Sequence, residues 1–280
     1  MILIADSGST KTQWALINST GEMDQVFGSS GINPFLMSED EIRNLLGKEV
    51  ILPKETVSKI YFYGAGCSLE MKPRVENALQ AVFQTEDMEV HSDLLGAARA
   101  SCGQEEGIAC ILGTGSNSAY YDGEKIVRQT PSLGFILGDE GSGCHLGKRL
   151  ISDLLKSQLS EEISKAFHAR YVTDQAQVLE RVYRQAFPNR FLAQFAVFLH
   201  ENIHYPEIKH LVADCFRQFI HRNLLQYPDI KILPVHFTGS IAWFFKEILQ
   251  EVLKENQLHV GKIRQHPMEG LIEYHSLSIS

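Results

Sequence analysis

The sequence lacks a cationic excess. Its 280 residues hold 26 Lys and Arg against 34 Asp and Glu, a formal net charge of −8 with pI near 5.8. A polyphosphate partner such as nucleic acid, which is bound through surplus basic side chains, is therefore not expected. Long apolar runs are missing too: none reaches the roughly 18 residues of a membrane span. The opening run MILIA stops at Asp6 with no basic segment before it, so a cytoplasmic protein with no membrane partner is expected. Cysteines are few. Cys67, Cys102, Cys110, Cys144 and Cys215 are scattered, odd in number and never form a C-x-x-C pair, which argues against a disulfide framework or a thiolate zinc site and leaves buried thiols. Two phosphate-binding signatures are absent as well. Gly47-Lys48, Gly147-Lys148 and Gly261-Lys262 are never followed by Ser or Thr, so no GxxxxGK[ST] loop exists. Ser118 and Leu69 occupy the positions where GxGxxG patterns beginning at Gly113 and Gly64 need glycine.

What is present is an ordinary globular composition, 44% hydrophobic and 21% charged, in a chain longer than a typical single domain, so two lobes sharing a cleft are expected. MILIADSGSTKTQWALI reads as strand, Gly-rich turn, strand; Asn18 to Gly21 makes a turn before a third strand ending near Phe27. GIACILGTGSNSAYYDGEKIVR, residues 107–128, repeats that plan: strand, Gly113 to Ser116 turn, strand, Asp122-Gly123 turn, strand. The repetition suggests an internal duplication, although strand-turn-strand is common in any α/β protein. Between the copies lie a helix from Ser38 to Leu46, a strand at Lys59 to Tyr63, a helix near Pro73 to Phe83, and the strand-to-helix segment MEVHSDLLGAARA. Helices follow at Leu146 to Leu159, Glu161 to His168, Asp174 to Phe187, Phe191 to His200 and Ile208 to Leu225. A strand, a Thr-Gly-Ser turn and an amphipathic helix come next, then a last strand and a short helix from Pro267. The expected class is α/β, divided into a first lobe at 1–106, a second lobe with a helical insertion at 107–265, and a terminal helix at 266–280 returning to the first.

Phosphates are held by exposed backbone N–H groups, small residues that allow close approach, and hydroxyls. The run Asp6, Ser7, Gly8, Ser9, Thr10, Lys11, Thr12 offers all three plus a cation, with Asp6 at a strand end where it could hold Mg²⁺ through water. In order and approximate spacing, DSGSTKT, GTGSNS and FTGSIAWFF resemble the two phosphate motifs and the adenosine motif of the actin-like ATPase superfamily. GINPF at 31–35, SDLLGAARA at 92–100 and GFILGDEGSG at 134–143 resemble its N-acetylglucosamine kinase branch and BadF/BadG/BcrA/BcrD-type relatives. This resemblance implies a duplicated ribonuclease H-like fold with two lobes around a nucleotide cleft, ATP and Mg²⁺ as cofactors, and phosphorylation of an amino sugar, N-acetylglucosamine at its 6-hydroxyl first among them. Glucosamine and N-acetylmuramic acid are substrates of relatives. Members often dimerise, and the helix-rich region 146–226 could supply a homodimer face.

The resemblance also implies roles. Asp93 would take the proton from the sugar hydroxyl; Ser9, Thr10 and Lys11 would face the β- and γ-phosphates; Thr114 and Gly115 would meet them from the second lobe; Gly239 and Ser240 would back the adenosine. Asn33, Ser116 and Asp139 would bond ring hydroxyls or the N-acetyl group. Read without the flanking motifs, Asp93 is an N-cap before Leu94, Gly239-Ser240 a helix-starting turn, and Glu140 a solvated turn residue. Asp139 and Glu140 interrupt the apolar run LGFILG, and carboxylates beside buried strands are costly unless something polar is bound. Leu133 stands where human-type members carry an aromatic, which weakens any assignment of the sugar.

Three rival readings accompany this one. HENIH at 200–204 is a literal HExxH, in which His200 and His204 would bind zinc and Glu201 activate water; Pro206 limits its helix, and His210 is the only near third ligand. A BadF-type ATPase would bridge an iron–sulfur cluster between two subunits, for which Cys102 and Cys144 are the conceivable ligands. A sugar- or nucleotide-binding protein without turnover would keep the loops and lose the chemistry.

Overall fold

Strand β1 (Ile2–Ser7) buries Leu3, Ile4 and Ala5 completely, the signature of a central strand covered on both faces. The computed structural model describes residues 1–18, 20–52, 57–172 and 174–277. β1 pairs antiparallel with β2 (Lys11–Ile17), which pairs antiparallel with β3 (Met23–Ser30). On its other side β1 runs parallel to β4 (Lys59–Gly64), and β4 parallel to β5 (Met88–Ser92), giving the order β3-β2-β1-β4-β5. The expected Asn18 to Gly21 turn is closed by Gly21 N–H donating to Asn18 O (3.1 Å); Ser19 lies outside the described residues. β3 runs three residues past Phe27, where Trp14 Nε1 donates to Ser29 Oγ (2.8 Å).

Alternation along the strands sorts the core into two layers. Leu3, Ala5, Trp14 and Leu16 pack with residues of α1 (Glu39–Glu49) and α2 (Lys72–Phe83). Ile4, Ala15, Tyr61 and Tyr63 pack on the opposite face with Ala100 of α3 (Asp93–Cys102) and with Met268 and Leu271 near the C-terminus. Ser38 starts α1 with a capping box closed by Glu41, as Ser-x-x-Glu predicts.

The second sheet is built from β6 (Glu106–Leu112), β7 (Ser116–Asp122), β8 (Ile126–Gln129), β9 (Pro234–Thr238) and β10 (His259–Arg264), in the order β10-β9-β6-β7-β8. Counted from β8 that is third, second, first, fourth, fifth, the order of the first sheet. The duplication suggested by the repeated hairpin is thus present in the topology. After β8 come α4 (Gly134–Leu137), α5 (Gly143–Leu155), α6 (Glu161–Arg170), α7 (Gln175–Tyr183), α8 (Pro188–Ala193), α9 (Ala196–Glu201) and α10 (Pro206–Phe219), then a π-helical turn at Ile220–Leu224. α11 (Ser240–Phe244) and α12 (Lys246–Glu255) separate β9 from β10, and α13 (Met268–Leu277) follows. Positions 278–280, the end of the expected terminal segment, lie outside the described residues.

Three expectations need correction. The run GFIL is neither strand nor buried: it forms the single-turn helix α4, with Ile136 and Leu137 about three-quarters and two-thirds exposed (75% and 67%). The expected Phe191 to His200 helix is two short helices, α8 and α9. The Ile208 to Leu225 helix begins two residues earlier and ends in the π turn. The chain divides into two compact units. The first holds Met1–Gly107, Tyr121–Val127 and the stretch from His266; the second holds Ile108–Tyr120 and Arg128–Gln265.

Candidate active site

In the first unit the β1–β2 hairpin fixes its own loop. Ser7 and Thr12, which the sequence offered as phosphate donors, are buried and spend their hydroxyls internally. Ser7 Oγ lies 2.7 Å from Thr12 Oγ1, donates to Ile32 O (3.0 Å) and accepts from Ile32 N–H (3.0 Å). Thr12 Oγ1 is 3.1 Å from Ser30 O, to which it donates. Ser9, Thr10 and Lys11 are left exposed at the tip. The segment after β3 runs hard against that tip: a Cβ on Gly31 would stand 2.4 Å from Gly8 O and 2.5 Å from Thr10 N, so only glycine fits there. Asn33 then donates from Nδ2 to Ser9 Oγ (2.8 Å) and accepts the Phe35 N–H on Oδ1 (3.0 Å). Its amide braces the loop through one hydrogen and one lone pair, leaving one N–H for a ligand.

Asp6 falls on the Ile4 side of β1, the side covered by α3, and α3 begins with Asp93. The N-cap of α3 is Ser92, whose side chain accepts from Leu95 N–H, so Asp93 is not needed as the cap. It occupies the first helical position and accepts Leu94 N–H on Oδ1 (2.9 Å). Burial raises the Asp93 pKa from 3.8 to about 6, against the stabilising backbone N–H. Burial and the charge of Asp93 push Asp6 to about 7, with Lys11 opposing. Both carboxylates are half-buried. The Asp6 carboxylate takes no hydrogen bond among the described residues, so this acceptor suits the water shell of a divalent cation accompanying a phosphate ligand.

In the second unit the 113–116 loop is held from two sides. Gly143 N–H donates to Gly113 O (2.8 Å) and Cys144 N–H to Thr114 O (3.1 Å), so the start of α5 binds this loop. Asp139, in the left-handed region at φ 60°, accepts Ser116 N–H on Oδ1 (3.0 Å). Burial raises the Asp139 pKa above the ordinary carboxylate value, and Ser116 opposes the shift. At the end of β9, Gly239 has φ 117°, and a Cβ there would meet Leu112 O at 2.3 Å. Gly239→Ala is expected to cost about 2–4 kcal/mol, from the backbone strain and the clash together; urea unfolding reads it as a lowered midpoint, and an unchanged midpoint refutes it.

Beside Asp139 lies a pocket of about 140 Å³ lined by Ser116, Asp139, Glu140, Arg222 and Asn223, with Leu133 and Leu137 as its apolar lining. Glu140 is no solvated turn residue. It accepts from Arg222 Nε on Oε1 and from Asn223 Nδ2 on Oε2 (3.2 Å). Asn223 O in turn accepts Thr130 Oγ1–H (2.9 Å), and Thr130 N–H donates to Tyr227 Oη (2.9 Å). Sequence reasoning missed Glu140, Arg222, Asn223 and Thr130 as a group because their partners lie 80 or more positions apart.

The zinc reading fails on geometry. α9 ends at Glu201, so His200 and His204 do not share a helix face. His200 packs edge-on against Phe244 and Phe245, His204 lies 4.3 Å from the Tyr205 ring, Glu201 pairs with Arg170, and His210 pairs with Asp214. No cluster of three or more His, Cys, Asp or Glu able to hold a metal occurs among the described residues. The iron–sulfur reading fares no better: Cys102 and Cys144 are both buried, at 6% and 1% exposure. Neither sulfur lies at the surface, where a cluster shared with a second subunit would need it. Among the described residues no helix is long and apolar enough to cross a membrane.

Protein-family models and curated proteins return no match to this chain. Among solved structures it is similar to a protein of Porphyromonas gingivalis provisionally named an N-acetylglucosamine kinase, with 45% identity, TM-score 0.96 and 100% of both chains covered. It is also similar to a protein of Chromobacterium violaceum provisionally given the same name, with 16% identity, TM-score 0.75 and 98% of each chain covered. A ROK-family glucokinase of Streptomyces griseus, solved with glucose and AMPPNP, matches at 13% identity and TM-score 0.56, covering 99% of this chain and 98% of that one. The last two speak for fold alone, and that fold is the two-lobed, duplicated α/β architecture of actin-like ATPases.

Proposed function

This chain belongs to the N-acetylglucosamine kinase-like family of the actin-like ATPase superfamily, and from that membership we propose that it is an ATP-dependent sugar kinase acting on an amino sugar, N-acetylglucosamine at its 6-hydroxyl. The observation that carries the reading is Asp93: a half-buried carboxylate at the first turn of α3, beside Asp6 and not needed as that helix's cap.

In the proposed reaction the sugar oxygen bonds to the γ-phosphorus as the bond from that phosphorus to the β,γ-bridging oxygen breaks, and ADP leaves. Asp93 accepts the hydroxyl proton as the new bond forms. Its pKa of about 6 keeps it ionised near neutral pH and makes it a better proton acceptor than an ordinary carboxylate. Ser9, Thr10 and Lys11, exposed on a braced loop, donate to the β- and γ-phosphates. Thr114 and Gly115 offer the backbone of the second phosphate loop, and Gly239 with Ser240 backs the adenosine. ATP arrives as its magnesium complex, and Asp6 would hold that ion through water, offsetting charge on the phosphates. For the sugar, Ser116 and Asp139 with the pocket beside them would supply donors and acceptors in the second unit, and the remaining N–H of Asn33 in the first. The presence of Asp93 favours a kinase over a binding protein without turnover.

Mixing the protein with ATP, Mg²⁺ and a panel of hexoses and amino sugars tests this directly. The expected result is ADP release that requires N-acetylglucosamine and yields a sugar 6-phosphate by mass and NMR. Release without regard to sugar, or tight binding of sugar with no turnover, rejects the kinase.

A further inference from the structure

The pocket beside Asp139 is lined by two carboxylates on adjacent residues and by a single cation, Arg222. Glu140 engages that cation. Its two oxygens are taken by Arg222 Nε and Asn223 Nδ2, and its side chain is only 12% exposed, whereas Arg222 is 59% exposed. The π turn that carries Arg222 and Asn223 is tied down again through Asn223 O and Thr130, so the guanidinium is placed by a built network. Lys148, the nearby lysine, donates to Phe135 O (3.2 Å) and does not line the pocket.

The charge balance has a chemical consequence. With Arg222 paired to Glu140, the charge of Asp139 is offset only by Lys148, which lies outside the pocket lining, and its Oδ1 accepts Ser116 N–H. Sugar hydroxyls and amide N–H groups can donate to such a carboxylate. A ligand carboxylate entering the same pocket meets like charge and a guanidinium already paired, an arrangement that discriminates strongly. We propose that Glu140 is a specificity residue: by occupying Arg222 it reserves the pocket for uncharged amino sugars and rejects those bearing a carboxylate, and removing its charge releases Arg222 to receive one. The inference rests on the reading of this pocket as the sugar site.

N-acetylglucosamine and N-acetylmuramic acid, which differ by an ether-linked carboxylate, are the probes. For the wild type, kcat/KM is expected to favour the neutral sugar by roughly 100-fold. Glu140→Gln keeps the size and an acceptor oxygen, and is expected to narrow that ratio about tenfold by a gain on the acidic sugar, with the KM for ATP unchanged. Adding Arg222→Gln is expected to erase the gain. Higher salt is expected to weaken the wild-type discrimination, since screening acts on the repulsion. If Glu140→Gln does not fold, Arg222→Gln alone serves: with the cation gone, discrimination against the acid is expected to widen. A ratio unmoved in the folded variant, or a wild type that uses both sugars equally, overturns the proposal. Calorimetric binding of the two sugars separates it from the kinase reading: selective binding without phosphoryl transfer rejects the kinase and keeps the gate, while equal affinity rejects the gate.

Discussion

Asp93→Asn is expected to lower kcat for sugar-dependent ADP release by about 10³-fold, within the range that removing a positioned general base costs. The structure gives reasons to expect folding to survive. Ser92 caps α3, and asparagine retains an oxygen able to accept Leu94 N–H, the contact Asp93 makes at 2.9 Å. Loss of a negative charge at a helix start costs about 0.3–1 kcal/mol; relief of its repulsion with Asp6 works the other way. A melting temperature close to wild type with collapsed turnover and little change in the KM for ATP is the signature of lost chemistry. The pH profile gives a second check. The base works as a carboxylate and its pKa is raised to about 6, so kcat/KM is expected to fall as pH drops through that value, and Asp93→Asn is expected to remove this limb. Unchanged turnover in the variant would take the proton from some other group.

How much of this was legible in the sequence depends on range. The strands around Asp6 and Gly113 announce themselves by apolar runs ending in small residues, and Ser92-Asp93 by a strand that turns straight into a helix. The two sheets' common strand order could only be suspected, because pairing between β1 and β4 or β6 and β9 leaves no local mark. The break between α8 and α9 has no Pro or Gly to signal it. It comes with tertiary packing: a Cβ on Gly147 would lie 1.9 Å from Leu192 O, so α5 runs against α8 at a glycine-only contact. The same applies to function. Ser9, Thr10 and Lys11 were legible as a loop tip. That Ser7 and Thr12 hold the loop from inside, and that Asn33 braces it, depends on contacts with residues 18–25 positions away. GFIL misled because its composition is that of a buried strand while its own Gly134, at φ 69°, and Gly138 directly after it permit an exposed helical turn.

Asp6→Asn is expected to make the ligand-free protein more stable and the enzyme worse. Asp6 is desolvated beside a second carboxylate, and its pKa is raised from 3.8 to about 7. For an acid shifted upward the folded state binds the proton more tightly than the unfolded one, so its stabilising contribution is complete below about pH 4 and is lost as pH rises to 7. At pH 8 the wild type therefore carries an unfavourable ionised pair that asparagine removes. The gain is on the order of 2 kcal/mol, less than the full shift implies because the carboxylate is only half-buried. At pH 4.5 Asp6 is protonated in the folded state, and the gain is expected to shrink toward zero. Thermal melts at the two pH values measure the difference; a variant less stable than wild type at pH 8 would mean that Asp6 is held by a favourable partner. Activity is expected to move the other way, falling about 10²-fold with a raised KM for the magnesium nucleotide, because a site kept electrostatically strained for a cation loses its grip when the strain is relieved.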